Sequence, residues 1–287
     1  NGYSSTQVIS SIAILGAAGF RVLPSLNKIY TAIQHLKFSS PAILLVSKEL
    51  DLIEEIVSER RLEKKINFHN DIVLKDIEFF YKNDNERIIG PNLNLRIKIN
   101  TFIGISGSSG SGKSTLINLI IGLLKPKKGE ILVDSQNINV NLNSWQNQIG
   151  YVSQKSYLLN DTIKRNIAFG VEDEDINMDL ISYASEVAEI SDFIEKLDQG
   201  LETVIGENGV NISGGQMQRL TIARALYNKP KIIIFDEATN ALDSKTEDEI
   251  IKTIYNIESV TVFLISHNLE LLEKCDHTFQ LENGLLS

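Results

Sequence analysis

A chain of 287 residues is long enough for one large domain or two modest ones, and its 37 acidic and 28 basic side chains give a formal net charge of −9. No basic stripe or basic tail stands out, which argues against a nucleic-acid partner. The single cysteine, Cys275, excludes a disulfide scaffold and indicates a reducing compartment, and we interpret it as a packing residue.

The first notable segment is an uncharged, mostly apolar run at residues 8–20, "VISSIAILGAAGF". It is shorter than the roughly 20 residues that a bilayer-spanning helix needs, so one interpretation is a buried helix of a soluble domain. The chain begins with Asn1 rather than Met, which indicates processing or a fragment. If the chain is a fragment, the run is the cytoplasmic end of a transmembrane helix. Basic residues follow this run, with no acidic residue before position 49, as the positive-inside rule expects. They are Arg21, Lys28 and Lys37.

Residues 41–65 are predicted to form a helix that becomes charged and leads into a linker, and the pattern changes at residue 71. Short strands follow, several of them continuous apolar runs. They are "IVLKDIEFFY" (72–81), "FIGIS" (102–106), "EILVD" (130–134), "IGYVS" (149–153), "KIIIFDE" (231–237) and "VTVFLIS" (260–266). Such strands mixed with helices imply a mainly parallel sheet covered on both faces. The stretch 156–226 is helical in character, so we predict an α/β sheet interrupted by a helical insert.

A glycine-rich loop lies between the strand at 102–106 and a helix predicted to start near Lys113. It contains "GSSGSGKS" and fits the G-x-x-x-x-G-K-[ST] pattern of a P-loop. Its glycines let backbone N–H groups wrap around phosphate oxygens, and the helix N-terminus adds positive potential. Lys113 is expected at the β- and γ-phosphates, and the Ser114 hydroxyl on Mg²⁺. The nucleotide-contacting residues predicted here are Gly107, Ser108, Ser109, Gly110, Ser111, Gly112, Lys113, Ser114 and Thr115.

Two acids end the apolar strand "IIIFDE" at 232–237. Asp236 at a strand end suits a second-sphere role at Mg²⁺. Glu237, one residue further, is placed to polarise an attacking water as a general base. A surface turn is the alternative interpretation of this pair, and the presence of a P-loop argues against it.

A second phosphate-binding pattern occurs at "NISGGQMQRL", residues 211–220, where a predicted helix opens with glycines. A helix N-terminus with two glycines is a good anion site. Together with the P-loop and the two acids, it makes residues 70–287 resemble the nucleotide-binding domain of an ATP-binding cassette (ABC) transporter, and "ISGGQ" resembles that family's signature motif. The resemblance implies that two cassettes pack head to tail, so that the signature of one chain caps the γ-phosphate held by the P-loop of the other. The signature residues are Ser213, Gly214, Gly215 and Gln216.

The same resemblance assigns roles outside these loops. Tyr81 is similar to the aromatic residue that stacks on adenine, with Phe80 as the alternative. Gln154 in "YVSQ" resembles the glutamine that touches Mg²⁺ and water and links to the membrane domain. Asp243 in "ATNALD" resembles the D-loop aspartate, and His267 in "LISHN" resembles the switch histidine on the γ-phosphate. The catalytic candidates are therefore Glu237, His267 and Gln154, and the metal-contacting candidates are Ser114, Gln154 and Asp236.

Two further segments indicate an exporter. "TVIGENG" places Thr203, Gly206, Glu207 and Gly209 in the T-x-x-G-E-x-G pattern of multidrug and lipid-flippase exporters, and "NDTIKRNIAFG" at 160–170 is similar to the exporter sequence after the Q-loop. Exporters of this class fuse the membrane domain N-terminal to the cassette, which favours the fragment interpretation. Residues 20–43 resemble the end of the last transmembrane helix of bacterial flippases for lipid-linked oligosaccharides.

The fold implied is a P-loop NTPase core of the RecA type, with a parallel sheet, a helical subdomain at about 156–226 and an antiparallel β edge. The resemblance also implies that residues 1–60 are the helical end of a transmembrane domain with its linker, and that residues 61–287 are the nucleotide-binding domain. Five hydrophobic spans upstream of Asn1 would support this architecture.

The implied activity is ATP hydrolysis with Mg²⁺, coupled to export or flipping of a lipid-linked or amphipathic substrate. The implied partners are a second identical chain, the membrane domain of the same polypeptide and that substrate, at the inner membrane with the cassette on its cytoplasmic side. A peptide or drug exporter is one alternative. A soluble ABC-type ATPase of DNA repair or translation is the other.

Overall fold

The computed structural model describes residues 5–59, 65–81, 88–206, 212–238, 244–255, 257 and 259–287. The chain forms two compact units, residues 1–62 and 63–287. The predicted site residue Asp243 and the exporter-pattern residues Glu207 and Gly209 lie outside the described part of the chain.

The first unit consists of one long helix, α1 (Ser5–Glu59), with Pro24 and Pro41 inside it. Its stretch Ile9–Leu50 contains an 18-residue window with a mean hydropathy of 1.6, and the stretch is long and apolar enough to cross a membrane. The side chains of this stretch are exposed, which does not match the buried-helix interpretation. The apolar run at 8–20 and the helix predicted from residue 41 both belong to α1, which continues through the two prolines because a proline removes one hydrogen bond of a helix without having to end it.

The described part of the second unit contains two main sheets, a small two-stranded sheet and the helices that cover them. Its strands are β1 (Asp71–Phe79), β2 (Ile89–Lys98), β3 (Phe102–Ser106), β4 (Lys128–Val133), β5 (Gln136–Asn137), β6 (Ile149–Val152), β7 (Asp161–Thr162), β8 (Val204–Ile205), β9 (Ile232–Asp236), β10 (Thr261–Ile265), β11 (His277–Glu282) and β12 (Leu285–Leu286). Its helices are α2 (Lys113–Ile121), α3 (Leu142–Gln146), α4 (Ile163–Ile167), α5 (Met178–Val187), α6 (Ser191–Glu195), α7 (Gly214–Leu226), α8 (Ser244–Tyr255) and α9 (Leu269–Leu272).

The predicted antiparallel edge is a four-stranded sheet in the order β2-β1-β4-β5. The predicted strand at 130–134 belongs to it as β4, which pairs antiparallel with β1, and not to the parallel sheet. Strand β2 was not predicted from the sequence. Its "IGPNLNLRIK" contains Pro and two Asn, which are depleted in strands, although its buried and exposed positions alternate.

The central sheet has the order β12-β11-β3-β10-β9-β6, and the pairs from β11 to β6 are parallel. Successive residues of its strands enter opposite cores. One core, with α2 and the antiparallel sheet, receives Ile103, Ile105, Ile232, Ile234, Phe263 and Ile265. The other core, with the helical insert, receives Ile233, Phe235, Val262 and Leu264. The prediction of a mainly parallel sheet covered on both faces is confirmed.

Helices α4 to α7 lie between β6 and β9 in the chain, where a helical insert was predicted. The insert also holds the small antiparallel pair β7 and β8. Helices α5 and α6 are separated near Glu189, whose φ of 54° is incompatible with a continuing right-handed helix.

Candidate active site

The predicted catalytic residues follow four adjacent strands of the central sheet, in the spatial order β3, β10, β9 and β6. Lys113 lies in the loop and helix after β3, His267 after β10, Glu237 after β9 and Gln154 after β6. The carboxyl ends of parallel strands share one edge of a sheet, and ligands of open α/β sheets bind at this edge. The topology therefore gathers residues that are far apart in sequence.

The P-loop needs glycine at specific positions. Gly107 has a φ of 151°, and a Cβ there would lie 2.4 Å from the carbonyl oxygen of Leu281. Gly112 has a φ of 104° and immediately precedes α2, which begins at Lys113. Only glycine adopts such conformations without strain. The loop therefore bends tightly into the N-terminus of α2, as predicted for a phosphate cradle.

Lys113 lies within this bend. Its side chain is 7% exposed, and its ammonium donates hydrogen bonds to the carbonyl oxygens of Gly107 at 2.8 Å and Ser108 at 3.0 Å. A positive charge is thereby held against the inner side of the loop, beside the N-terminus of α2. Both features attract an anion to the same place.

Glu237 is in contact with the other three strand-end residues. Its Oε2 accepts a hydrogen bond from Nε2 of Gln154 at 2.7 Å. Its Oε1 lies 3.1 Å from Nε2 of His267 and 3.9 Å from Nζ of Lys113. The structure thus brings together the predicted base, the predicted switch histidine, the Q-loop glutamine and the P-loop lysine.

The backbone of Glu237 has a φ of 50°, in the left-handed region. This conformation costs a non-glycine residue on the order of 1–2 kcal/mol. The Glu237 N–H donates to the carbonyl oxygen of Ile265 at 3.1 Å, which helps to hold the turn. A strained residue at a candidate catalytic position is consistent with a functional constraint on its placement.

Asp236 is 7% exposed and accepts a hydrogen bond at Oδ2 from the Tyr151 hydroxyl at 2.9 Å. Burial raises the pKa of Asp236, and hydrogen bonds from Tyr151 and Ser114 oppose that rise. Burial and the Asp236 charge raise the pKa of the Tyr151 phenol, which therefore remains a donor at neutral pH. Sequence reasoning gave Tyr151 no role.

Ser114 and Asp236 suit Mg²⁺ by the chemistry of their donors. A hydroxyl and one carboxylate lie side by side, and Mg²⁺ binds through one or two carboxylates together with phosphates and water. Among the described residues no cluster of three or more His, Cys, Asp or Glu side chains could hold a metal. This part of the chain therefore has no such cluster to coordinate a metal ion by protein ligands alone. Gln154 donates its amide nitrogen to Glu237 and retains its amide oxygen as an acceptor.

A cleft of about 320 Å³ opens at this edge of the sheet. It is lined by Ile88, Ser109, Gly110, Gly112, Lys113, Ser114, Thr115, Gln154, Glu237 and His267. Ile88 is the lining residue that the sequence did not single out. The hydroxyl of Ser111, also in the P-loop, is buried without a hydrogen-bond partner among the described residues. It is therefore a polar atom inside the loop that is available for a further hydrogen bond.

Tyr81 is 42% exposed, and its ring packs edge-on against Phe79 with centroids 5.0 Å apart. Phe80, the alternative, lies under the Lys127 ammonium at 5.7 Å. Neither residue lines the cleft. Stacking of Tyr81 on adenine therefore stays a prediction.

The signature residues open α7 with a capping box. The Ser213 hydroxyl accepts from the Gln216 N–H at 3.2 Å, and the Gln216 side chain accepts from the Ser213 N–H at 2.8 Å. Ser213 and Gly214 are exposed, and none of residues 213–216 lines the cleft of their own chain. The first N–H groups of a helix have no partner inside the helix, which is why such an N-terminus attracts anions, and binding of a second phosphate here stays a prediction.

A family model described as "ABC transporter" matches residues 91–240, just over half of the chain. The chain belongs to the ABC transporter family. The prediction of the family is thereby confirmed, together with those of an ABC-type ATPase cassette and a P-loop fold.

Individual ABC proteins are similar over the same region. The chain is 43% identical over 216 residues, 75% of its length, to the leukotoxin translocation ATP-binding protein LktB of Mannheimia glucosida. It is equally identical, over the same length, to the LktB protein of Mannheimia haemolytica. The chain spans only 30% of the length of these relatives.

A solved structure, described as a bacterial Atm1-family ABC exporter with ATP bound, is also similar. It is 34% identical, has a TM-score of 0.70, and the match covers 78% of this chain and 40% of that one. The resemblance to exporters noted in the sequence thus extends to three-dimensional structure.

Proposed function

We propose that this ABC chain hydrolyses ATP at the cleft around Lys113 and Glu237, as the cassette of an exporter. The observation that carries the proposal is the convergence of Gln154, His267 and Lys113 on the Glu237 carboxylate, directly beside the P-loop. This arrangement puts an oriented base next to a phosphate cradle. The similarity to a bacterial exporter supports the coupling to transport.

The binding step uses the P-loop and its lysine. The loop N–H groups and the N-terminus of α2 surround the phosphates, and Lys113 exchanges its carbonyl partners for β- and γ-phosphate oxygens. Tyr81 stacks on the adenine. When bound by Ser114, Asp236 and Gln154, Mg²⁺ supplies charge neutralisation on the phosphate oxygens.

The hydrolytic step uses Glu237 as the base that accepts a proton from the attacking water. Gln154 fixes one carboxylate oxygen, which leaves the other, near His267, to orient the water. His267 lies on the side of the Glu237 carboxylate opposite to Gln154 and contacts the γ-phosphate there. Because Glu237 is held at φ 50°, its side chain is placed before the substrate arrives.

A second identical chain completes the site in this proposal. Residues 213–216 form an exposed anion site outside their own cleft, so they serve the γ-phosphate bound by the partner. The two chains pack head to tail, as the resemblance to ABC transporters implies. Opening and closing of this dimer follow the presence of the γ-phosphate.

The proposed domain division is residues 1–60 and 61–287, with the first as the end of a membrane domain and its linker. The long exposed apolar stretch Ile9–Leu50 supports a place for α1 in a membrane. In this arrangement the cassette lies on the cytoplasmic side of the inner membrane.

The proposed substrate is amphipathic, and lipid-linked by the resemblance of residues 20–43 to flippases. A polypeptide is the second candidate, favoured by the relatives that are named for leukotoxin translocation. Stimulation of the ATPase by a lipid-linked oligosaccharide, against stimulation by an unfolded polypeptide, distinguishes the two. The measurement belongs in membrane vesicles that hold the full-length protein.

The hydrolytic proposal itself is tested by phosphate release from ATP. We expect Mg²⁺-dependent release by the wild-type protein and its loss in Lys113→Ala, with Lys164→Ala as a control lysine that pairs with Glu202 outside the cleft. Equal rates in wild type and Lys113→Ala would overturn the assignment.

A further inference from the structure

Tyr151 and Asp236 meet because of the register of two parallel strands. Tyr151 of β6 is aligned with Ile234 of β9. Asp236 lies two residues beyond Ile234, so it projects from the same face of the sheet as Tyr151. A diagonal neighbour at this spacing is within reach of an aromatic side chain. The Tyr151 hydroxyl accordingly donates to Oδ2 of Asp236 at 2.9 Å.

A hydrogen bond of this kind breaks the symmetry of the carboxylate. The last torsion of an aspartate is broad and nearly two-fold, so a carboxylate without a directional partner rotates among many orientations. The phenol has one proton and donates it to one oxygen. Oδ2 is thus held by Tyr151, and the plane of the carboxylate is fixed relative to Ser114, which also contacts it.

We propose that Tyr151 is a positioning residue that orients the Asp236 carboxylate and thereby sets the affinity of the nucleotide site for its divalent cation. The inference rests on the proposed function, in which Asp236 and Ser114 contact Mg²⁺. Partners that orient the ligands of a metal change its affinity by roughly 10–100-fold when they are removed. Tyr151 is not among the residues that line the cleft.

The test removes one hydroxyl and measures the cation directly. Tyr151→Phe retains the ring and the strand, and Mn²⁺ replaces Mg²⁺ because its free concentration is read by electron paramagnetic resonance. At saturating ATP, we expect Mn²⁺ to bind Tyr151→Phe about tenfold more weakly than wild type. ATP affinity measured in EDTA is expected to be unchanged, since the P-loop is intact.

The matched control is Tyr227→Phe. Its hydroxyl accepts a hydrogen bond from the Asn177 N–H at 2.9 Å in the helical insert, so the substitution also removes one tyrosine hydrogen bond, but away from Asp236. We expect its Mn²⁺ affinity to equal that of wild type. A decrease of the same size in both variants would overturn the positioning role, because it would reflect a general loss of structure.

Two other outcomes are distinguishable. If wild type and Tyr151→Phe bind Mn²⁺ equally tightly in the presence of ATP, the inference about Tyr151 is wrong while the proposed function stands. If the wild-type protein binds ATP but the nucleotide recruits no Mn²⁺ to Asp236, as shown by an unchanged affinity in Asp236→Asn, the proposed metal site itself is wrong.

Discussion

Gln154 and Glu237 are 83 residues apart in sequence and are joined by a 2.7 Å hydrogen bond from the amide of Gln154 to Oε2 of Glu237. The Gln154 amide is uncharged, and its hydrogen bond fixes the orientation of the carboxylate. The other oxygen, Oε1, contacts Nε2 of His267 at 3.1 Å and lies 3.9 Å from Nζ of Lys113. A base held in this way is suited to a water that attacks the γ-phosphate.

The first prediction concerns Glu237→Gln. The amide has nearly the same shape and cannot accept a proton, so we expect ATP binding to persist and turnover to fall at least ~100-fold. Single-turnover hydrolysis of bound ATP measures the effect. Glu202→Gln, at an exposed acid paired with Lys164, is the control and should remain active. Near wild-type hydrolysis in Glu237→Gln would remove Glu237 from the mechanism.

The second prediction concerns ATP affinity. Lys113 is the buried cation of the P-loop, and Lys113→Ala removes its charge-assisted contacts with phosphate. We expect the dissociation constant of ATP to rise by about tenfold or more, since each such contact contributes roughly 1.5–3 kcal/mol. Equilibrium titration with a fluorescent ATP analogue provides the measurement. An unchanged dissociation constant contradicts the P-loop assignment.

The sequence predicted the parts of this site whose chemistry is local. A P-loop followed by a helix, and acids after an apolar strand, carry their function in consecutive residues, so Lys113 and Glu237 could be identified directly. The contact of Tyr151 with Asp236 depends on the register between two strands that are distant in sequence. The positive φ of Glu237 is imposed by its surroundings, so a glutamate at this position does not indicate it.

The elements of the fold also differ in how well local sequence patterns predict them. Continuous apolar strands predicted the buried parallel sheet, whereas β2, rich in Asn, was too weak a pattern to identify. The continuity of α1 through Pro24 and Pro41 was missed because proline usually marks a helix boundary.

The third prediction concerns the stability of the core beneath the P-loop helix. Trp145 is fully buried, donates from Nε1 to the carbonyl oxygen of Ile120 at 2.8 Å, and packs edge-on against Phe68. Trp145→Phe leaves a cavity and an unpaired carbonyl, so we expect a loss of about 2–4 kcal/mol in the free energy of unfolding. Denaturation followed by circular dichroism measures it, with Tyr157→Phe as an exposed control. Equal stability of Trp145→Phe and wild type would show that this contact is unimportant.

The fourth prediction concerns Cys275. Burial, and then the charge of Asp276, raise the pKa of its thiol to about 11. The thiolate is the reactive form, so a folded pKa near 11 against an unfolded value of 9.0 reduces its fraction at pH 8 by about 100-fold. Iodoacetamide should therefore label the folded chain far more slowly than the urea-unfolded chain. Similar rates in both states would contradict the packing role.

In the proposed dimer, Ser213 of one chain and Lys113 of its partner form one ATP site, which predicts complementation between two inactive variants. Lys113→Ala and Ser213→Ala homodimers each have two damaged sites. In a mixed dimer, one site carries both substitutions and the other carries neither, because a two-fold interface pairs each residue with its counterpart on the partner. Thermal unfolding first checks that Ser213→Ala, which removes a helix cap, remains folded.

The measurement is phosphate release from isolated mixed dimers that carry a different tag on each chain. A mixed dimer of wild type and Lys113→Ala shows what one intact site can do. We expect the Lys113→Ala and Ser213→Ala mixture to match that control, and both homodimers to remain inactive. Mixed dimers that stay as inactive as the homodimers, while the wild-type control is active, would contradict a shared site.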